Sequence, residues 1–269
     1  MKPARLRHVA FVTPNQRDLA AFYTSACGMK SVDQETPEDR VSTGIHLSDG
    51  KVNFTILRER PNDDRPRGFF HLGFAWPDEE FKDLKALNHR LRDAGASCDL
   101  WFEPEYSDLE HRLCDPDGNF IDIAPTRRWG YAAPASRVGD AGMKRLRHVA
   151  AVTKNQPEMA RFYTEAFGMK VVPKGKEGGR SLHLSDGAIN FTILCYPADD
   201  GVKEKGFHHT GFTFERDEFA DRPGLDKKFR AAGASSPVEE TEVNAGQEWR
   251  VADPDGNDID LAPVGRWNY

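Results

Sequence analysis

Apolar and polar positions divide the chain into a succession of elements that runs twice. Leu6 to Val12 reads as a strand. Leu19, Phe22, Tyr23 and Ala26 then recur at helical spacing, with Gly28 where a helix C-cap glycine belongs. Met29 to Val32, Gly44 to Leu47 and Val52 to Leu57 are predicted strands, and Ser48-Asp49-Gly50 is a turn. The order then repeats. Phe69 to Trp76 is a strand, and Phe81, Leu84, Leu87 and Leu91 give a helix capped by Gly95. Strands follow near Leu100, at His111 to Cys114 and at Phe120 to Ala124. Asp115-Pro116-Asp117-Gly118 suits a type I turn, because Pro presets its second position and Gly ends it.

The second half repeats the first piece by piece. Arg5-Leu6-Arg7-His8-Val9-Ala10 returns as Arg145-Leu146-Arg147-His148-Val149-Ala150, and Phe22-Tyr23-Thr24 as Phe162-Tyr163-Thr164. Asn53-Phe54-Thr55 returns as Asn190-Phe191-Thr192, and the Asp-Pro-Asp-Gly-Asn turn at Asp115 returns at Asp253. Such a period is too long for a solenoid and marks duplication of a whole unit. The expected organisation is one domain over residues 1–131, an Ala-, Pro-, Ser- and Gly-rich linker over 132–143 and a second domain over 144–269. In the second copy Pro223-Gly224 is expected to interrupt and shorten the helix matching Leu84 to Leu91.

Strand alternation sorts side chains by face. His8 shares a face with Ala10 and Val12, His71 lies with Gly73 and Ala75, and Asp122 opposes Ile121 and Ile123. Phe70, Leu72, Phe74 and Trp76 are expected on the helix side, and so is His208, which leaves His209 as the partner of His71. Three strands of each copy thus offer one ligand apiece: His8, His71 and Asp122, then His148, His209 and Asp260. Two imidazoles and a carboxylate suit a divalent ion with open positions. Fe(II), Mn(II), Zn(II) and Ni(II) all suit these ligand types, and ligand type alone does not choose among them. His46, His183, Arg112 and Arg250 are candidate substrate contacts, weighed against an exposed strand end for the histidines and a solvated surface for the arginines. Asn53, Thr55, Asn190 and Thr192 read as ordinary alternation on a half-buried strand. Trp129 and Trp267 read equally as pocket caps and as packing.

Composition narrows the partners. A net charge of -6 argues against nucleic acid, which needs a basic face. The chain has no apolar run of membrane-spanning length, and its opening residues lack a signal-peptide core, so a soluble cytoplasmic protein is expected. Cys27 aligns with Phe167 and Cys114 with Ala252, which reads as small buried hydrophobes and not a disulfide or zinc framework. A small-molecule substrate is expected, with the chain a monomer or homodimer.

These motifs together resemble the vicinal oxygen chelate superfamily, which includes glyoxalase I, methylmalonyl-CoA epimerase, extradiol dioxygenases and the bleomycin and fosfomycin resistance proteins. The resemblance is carried by Leu6-Arg7-His8-Val9-Ala10, Phe22-Tyr23 with Gly28-Met29-Lys30, His71-Leu72-Gly73-Phe74 and Asp115 to Asp122. The second copy matches at His148, Phe162-Tyr163, Gly168-Met169-Lys170, His209-Thr210-Gly211-Phe212 and Asp253 to Asp260. It implies an α+β fold of tandem βαβββ modules, four in all, forming two half-open barrels. It also implies the six metal ligands already named, with Asp in the place where the family usually carries Glu. Glyoxalases and the epimerase commonly add a fourth ligand on the fourth strand, where this chain has Asn53-Phe54-Thr55 and Asn190-Phe191-Thr192. The three-membered set looks more like the dioxygenases. Their usual Tyr three residues before the Asp-Pro turn is replaced here by Arg112 and Arg250. Extradiol-type oxygen chemistry at Fe(II) is the leading expectation. The alternatives are a glyoxalase- or epimerase-type lyase or isomerase, and a non-catalytic protein that binds a drug or metabolite.

Overall fold

A computed structural model describes residues 3–32, 44–62, 64–102, 110–126, 145–172, 180–196, 205–241, 244 and 246–267. The expected linker over 132–143 lies outside the described residues. The first copy runs β1 (Arg5–Thr13), α1 (Gln16–Ser25), β2 (Lys30–Ser31), β3 (Gly44–Ser48) and β4 (Asn53–Arg58). It continues with β5 (Gly68–Trp76), a 3-10 turn (Asp78–Lys82), α2 (Leu84–Ala94), β6 (Trp101–Phe102), β7 (His111–Cys114) and β8 (Phe120–Pro125). The second copy repeats this as β9 (Arg145–Val152), α3 (Gln156–Phe167), β10 (Lys170–Val171), β11 (Ser181–Ser185) and β12 (Asn190–Leu194). Then come β13 (Gly206–Phe214), α4 (Arg216–Ala220), α5 (Arg222–Ala231), β14 (Glu239–Glu240), β15 (Trp249–Ala252) and β16 (Asp258–Pro263).

Each copy forms one eight-stranded mixed sheet, ordered β2-β3-β4-β1-β5-β8-β7-β6 in the first and β10-β11-β12-β9-β13-β16-β15-β14 in the second. These are the expected βαβββ modules. Two of them meet edge to edge at the antiparallel β1–β5 pair, and again at β9–β13. Among the described residues neither sheet closes on itself. The candidate ligands of each copy therefore sit on three adjacent strands of one sheet, and neither set is shared between copies.

Register shifts decide which face each residue takes. One lies between Leu6 and His8 and another between Ala10 and Phe11, opposite Phe69 and His71. A bulge adds one residue to a strand and reverses the alternation beyond it. Leu6 and His8, which share parity, consequently fall on opposite faces. Leu6 joins the main core, whereas Ala10, Val12 and Phe70 form a separate cluster on the ligand side. Simple alternation put Phe70 on the helix side, and the bulge corrects that. The second copy has the same shift between Phe207 and His209, so His208 is the extra residue and stays half-buried beside the ligand.

Two helix expectations also change. Pro223 falls in the first turn of α5, where its missing N–H costs nothing. Asp221 caps that end by accepting from Gly224 N, so the helix starts there and is not broken. In the first copy α1 ends with Ala26 as its cap and Gly28 just beyond, whereas in the second Gly168, with φ of 68°, is itself the cap of α3.

The two copies share one core. Phe69 stacks on Phe207 at 4.8 Å between ring centroids, and Phe74 stacks on Phe167 at 4.1 Å. Buried polar contacts cross in reciprocal pairs. Leu6 N donates to Asp186 Oδ2 at 2.9 Å and Leu146 N to Asp49 Oδ2 at 3.0 Å. Tyr23 and Tyr163 donate their hydroxyls to Asp253 and Asp115, both at 3.0 Å. The Asp-Pro-Asp-Gly-Asn turn of each copy is thus the acceptor for the helix of the other. The four cysteines form no disulfide, and Cys27 and Cys114 are buried as expected.

Candidate metal centre

Register brings a polar row across six neighbouring strands of each sheet. His8 pairs with Asn53 across β1–β4, and Thr55 with His46 across β4–β3. On the other side Ala10 pairs with His71, Gly73 with Asp122 and Asp122 with Arg112. The side chains connect in that order. His46 Nδ1 lies 2.9 Å from Thr55 Oγ1, which donates to Asn53 Oδ1 at 2.8 Å. His8 Nδ1 lies 2.6 Å from the same oxygen, and His8 Nε2 lies 2.9 Å from His71 Nε2. His71 Nε2 is 3.1 Å from Asp122 Oδ2. Arg112 then closes the row, donating from Nε and Nη2 to the two Asp122 oxygens at 2.6 and 2.9 Å.

The second copy reproduces the row. His183 Nδ1 and Thr192 Oγ1 are 2.8 Å apart, Thr192 donates to Asn190 Oδ1 at 3.0 Å, and His148 Nδ1 is 2.6 Å from that oxygen. His148 Nε2 lies 3.0 Å from His209 Nε2, which lies 3.2 Å from Asp260 Oδ2. Arg250 donates to Asp260 at 2.7 and 3.2 Å. The amide of Asn190 is oriented by its own Nδ2, which donates to Leu184 O at 3.3 Å. Its oxygen must then face His148, and an amide oxygen only accepts. His148 therefore carries its proton on Nδ1 and turns the Nε2 lone pair to the centre. In the first copy the Asn53 oxygen that accepts from Thr55 faces His8 Nδ1, which gives His8 the same tautomer.

Burial sets the charge of these groups. It pushes His8 down to about 4 and holds His71 and His148 well below the ordinary imidazole range, so all three are neutral at neutral pH. Burial alone raises Asp122 and Asp260. The facing histidine and the Arg112 or Arg250 guanidinium outweigh it, and both carboxyls stay below their usual range. Neutral imidazole and ionised carboxylate are the metal-binding forms.

The spacing fits an ion. Two ligand atoms held at right angles about 2.1 Å from one metal are about 3.0 Å apart. The His–His and His–Asp edges are 2.9 and 3.1 Å in the first copy and 3.0 and 3.2 Å in the second. All three ligand atoms of each set lie within 4.8 Å of one another. The Nε2 lone pair of His8 or His148 can be met by an ion or by an N–H of the facing imidazole.

The six predicted ligands thus come together as two sets. His46 and His183 are half-buried, two side chains removed from the ligand histidine of their copy. Arg112 is buried and spent on Asp122, in place of the solvated position weighed for it. Sequence reading passed over the roles of Asn53, Thr55, Asn190 and Thr192. Their signal was position: each asparagine opens the strand that runs parallel beside the ligand histidine. Trp267 stacks on the His148 ring at 4.8 Å. Gly211 makes room for it, since a Cβ there would lie 2.6 Å from the indole. Trp129 lies outside the described residues.

The model of the Glyoxalase/Bleomycin resistance protein/Dioxygenase superfamily matches residues 5–123 and again 145–261. The chain belongs to that superfamily. No curated protein matches the chain. Among solved structures it is similar to the 2,3-dioxygenase LapB from Pseudomonas sp. KL28, with TM-score 0.67 and 16% identity over 98% of this chain and 94% of that one. It is also similar to 2,2',3-trihydroxybiphenyl 1,2-dioxygenase from Sphingomonas wittichii strain RW1, with TM-score 0.64 and 11% identity over 97% and 90%. The Mn(II)-bound glyoxalase from Novosphingobium aromaticivorans gives TM-score 0.63 and 16% identity over 97% and 83%. At these identities the likeness concerns the fold. None of the helices in the described residues is long and apolar enough to cross a membrane.

Proposed function

We propose that the chain is a metal-dependent enzyme of this superfamily, with divalent ions held by His8, His71 and Asp122 and by His148, His209 and Asp260. The observation that carries this reading is the convergence of two histidine nitrogens and a carboxylate oxygen, with His–His and His–Asp distances of 2.9 and 3.1 Å in one copy and 3.0 and 3.2 Å in the other, inside the same hydrogen-bonded row. A bound ion would supply Lewis acidity and, as Fe(II), a centre for oxygen chemistry. Fe(II) is favoured because two imidazoles and one carboxylate leave open positions on the ion.

Charge balance describes the substrate. Two neutral imidazoles, one carboxylate and one guanidinium already sum to zero, so an ion adds two positive charges to a buried site. Buried net charge is costly unless it is compensated. A small molecule that chelates through two neighbouring oxygens and binds as an anion compensates it, and a catechol-like diol meets that description. Arg112 and Arg250 act in this account by making the centre more positive, and His46 and His183 border the same face of the sheet. A lyase or isomerase is the second reading, favoured by the likeness to the Mn(II)-bound glyoxalase. Asn53 and Asn190, which stand on the fourth strand, hold the ligand histidines and supply no base there.

The test is metal analysis of protein purified without oxygen or chelator, beside the His8→Ala, His148→Ala double variant, followed by oxygen uptake with catechols. About two iron ions per chain, lost in the variant, with oxygen consumed, is the expected result. Zinc, nickel or manganese with no oxygen uptake moves the assignment to the lyase and isomerase reading. A chain that takes up no metal is a binding protein.

A further inference from the structure

The two triads share their inner ligands but differ in what stands behind them. His209 Nδ1 lies 2.7 Å from His208 Nδ1. The matching residue in the first copy is Phe70, whose ring packs edge-on against His71, and His71 Nδ1 is buried with no hydrogen-bond partner. When either imidazole gives Nε2 to a metal, its remaining proton must sit on Nδ1. In the second copy that N–H finds His208. In the first it is buried without an acceptor among the described residues.

A second difference acts in the same direction. Arg250 reaches Asp258 as well as Asp260, with Nη1 3.5 Å from Asp258 Oδ2. The residue matching Asp258 is Phe120, and Arg112 lies over the Phe70 and Phe120 rings at 5.6 and 5.3 Å. The first guanidinium holds its carboxylate at 2.6 and 2.9 Å, against 2.7 and 3.2 Å in the second copy. Dividing Arg250 between two carboxylates leaves more of the Asp260 charge for an ion.

We infer that the two centres are unequal: the His148–His209–Asp260 set binds divalent metal more tightly than the His8–His71–Asp122 set, because His208 and Asp258 complete it. The inference rests on the metal-binding reading of both triads. A lost partner behind a ligand histidine costs 10–100-fold in metal affinity as an order of magnitude, and that is the expected ratio between the sites.

The test uses full-length chains in which one triad is disabled. His8→Ala leaves the second site and His148→Ala leaves the first. Each is titrated with Co(II), which takes the same ligand types, by calorimetry and by its visible absorption. The second-site protein is expected to bind at least about 10-fold more tightly. His208→Phe should remove that advantage, and His208→Gln, which keeps an acceptor, should retain most of it. Phe70→His should tighten the first site. Equal affinities, a tighter first site, or a folded His208→Phe protein that binds unchanged would overturn the inference while leaving metal binding intact. If His208→Phe fails to fold, Phe70→His and His208→Gln decide. No Co(II) bound by either protein defeats the metal reading and this inference together.

Discussion

Asn53 and Asn190 decide which nitrogen of a ligand histidine faces the centre. Each accepts from two donors at one oxygen, the histidine Nδ1–H and a threonine hydroxyl. Asn53→Ala or Asn190→Ala should therefore leave the triad in place but free its imidazole to turn. The expected outcome is metal binding weakened about 10–100-fold at that site alone, read by titration, with an unchanged far-ultraviolet spectrum. Substitution to Asp, which keeps the acceptor, should restore part of the affinity. The two clusters of histidines and carboxylate were legible in the sequence, because a histidine on an apolar strand, repeated in register with a second histidine and a carboxylate, is a chemical pattern. Their supports were not. An asparagine followed two residues later by a threonine looks the same whether it faces water or a metal ligand, and only strand pairing tells the two apart. The arginines, expected as substrate contacts, instead hold the triad carboxylates, and that bidentate hold depends on the β7–β8 and β15–β16 registers.

Among the elements, the strands followed from periodicity to within a residue or two, but Phe81 lies in the 3-10 turn before α2 and Leu84 is exposed, and the face misreadings fell at bulges. Alternation carries no mark of where an extra residue enters a strand, so Phe70 and His208 were given the wrong face. The Asp-Pro-Asp-Gly-Asn turn was read for its shape alone. Asp115 does close that turn, accepting from the backbone of Asp117 and Asn119, but its other oxygen takes the hydroxyl of Tyr163. Burial pushes Asp115 up to about 6, against the hydrogen bonds from Asn119 and Tyr163. Its folded value lies above the ordinary 3.8, so its contribution to stability is complete below about 3.8 and is lost as the pH rises through about 6. Tyr163→Phe removes one of the donors that lower it. The variant should lose about 1–3 kcal/mol at pH 8, where the buried carboxylate has lost one of its donors, and less at pH 5. Urea unfolding at the two pH values checks this, and an equal loss at both would contradict it.

For the molecule as a whole, the duplication was plain in the sequence, but the way the copies meet was not. Nothing in the pattern of either copy tells that one core runs through both, with Phe22 against Phe229 and Phe74 against Phe167. The contacts are reciprocal, so each copy carries both halves of the interface. The first copy expressed alone should therefore not persist as a monomer. Light scattering should find it paired with a second identical copy or aggregated, since the faces that meet here are apolar and self-complementary. A stable monomer would show that the copies do not depend on each other. The crossed latches, Tyr23 with Asp253 and Tyr163 with Asp115, also bear on descent. Each copy holds the counterpart of the other's key residue, so neither can drift alone at these positions. The two centres are free to diverge in chemistry, as Phe70 and His208 have done, while the halves that carry them stay bound to a common inheritance.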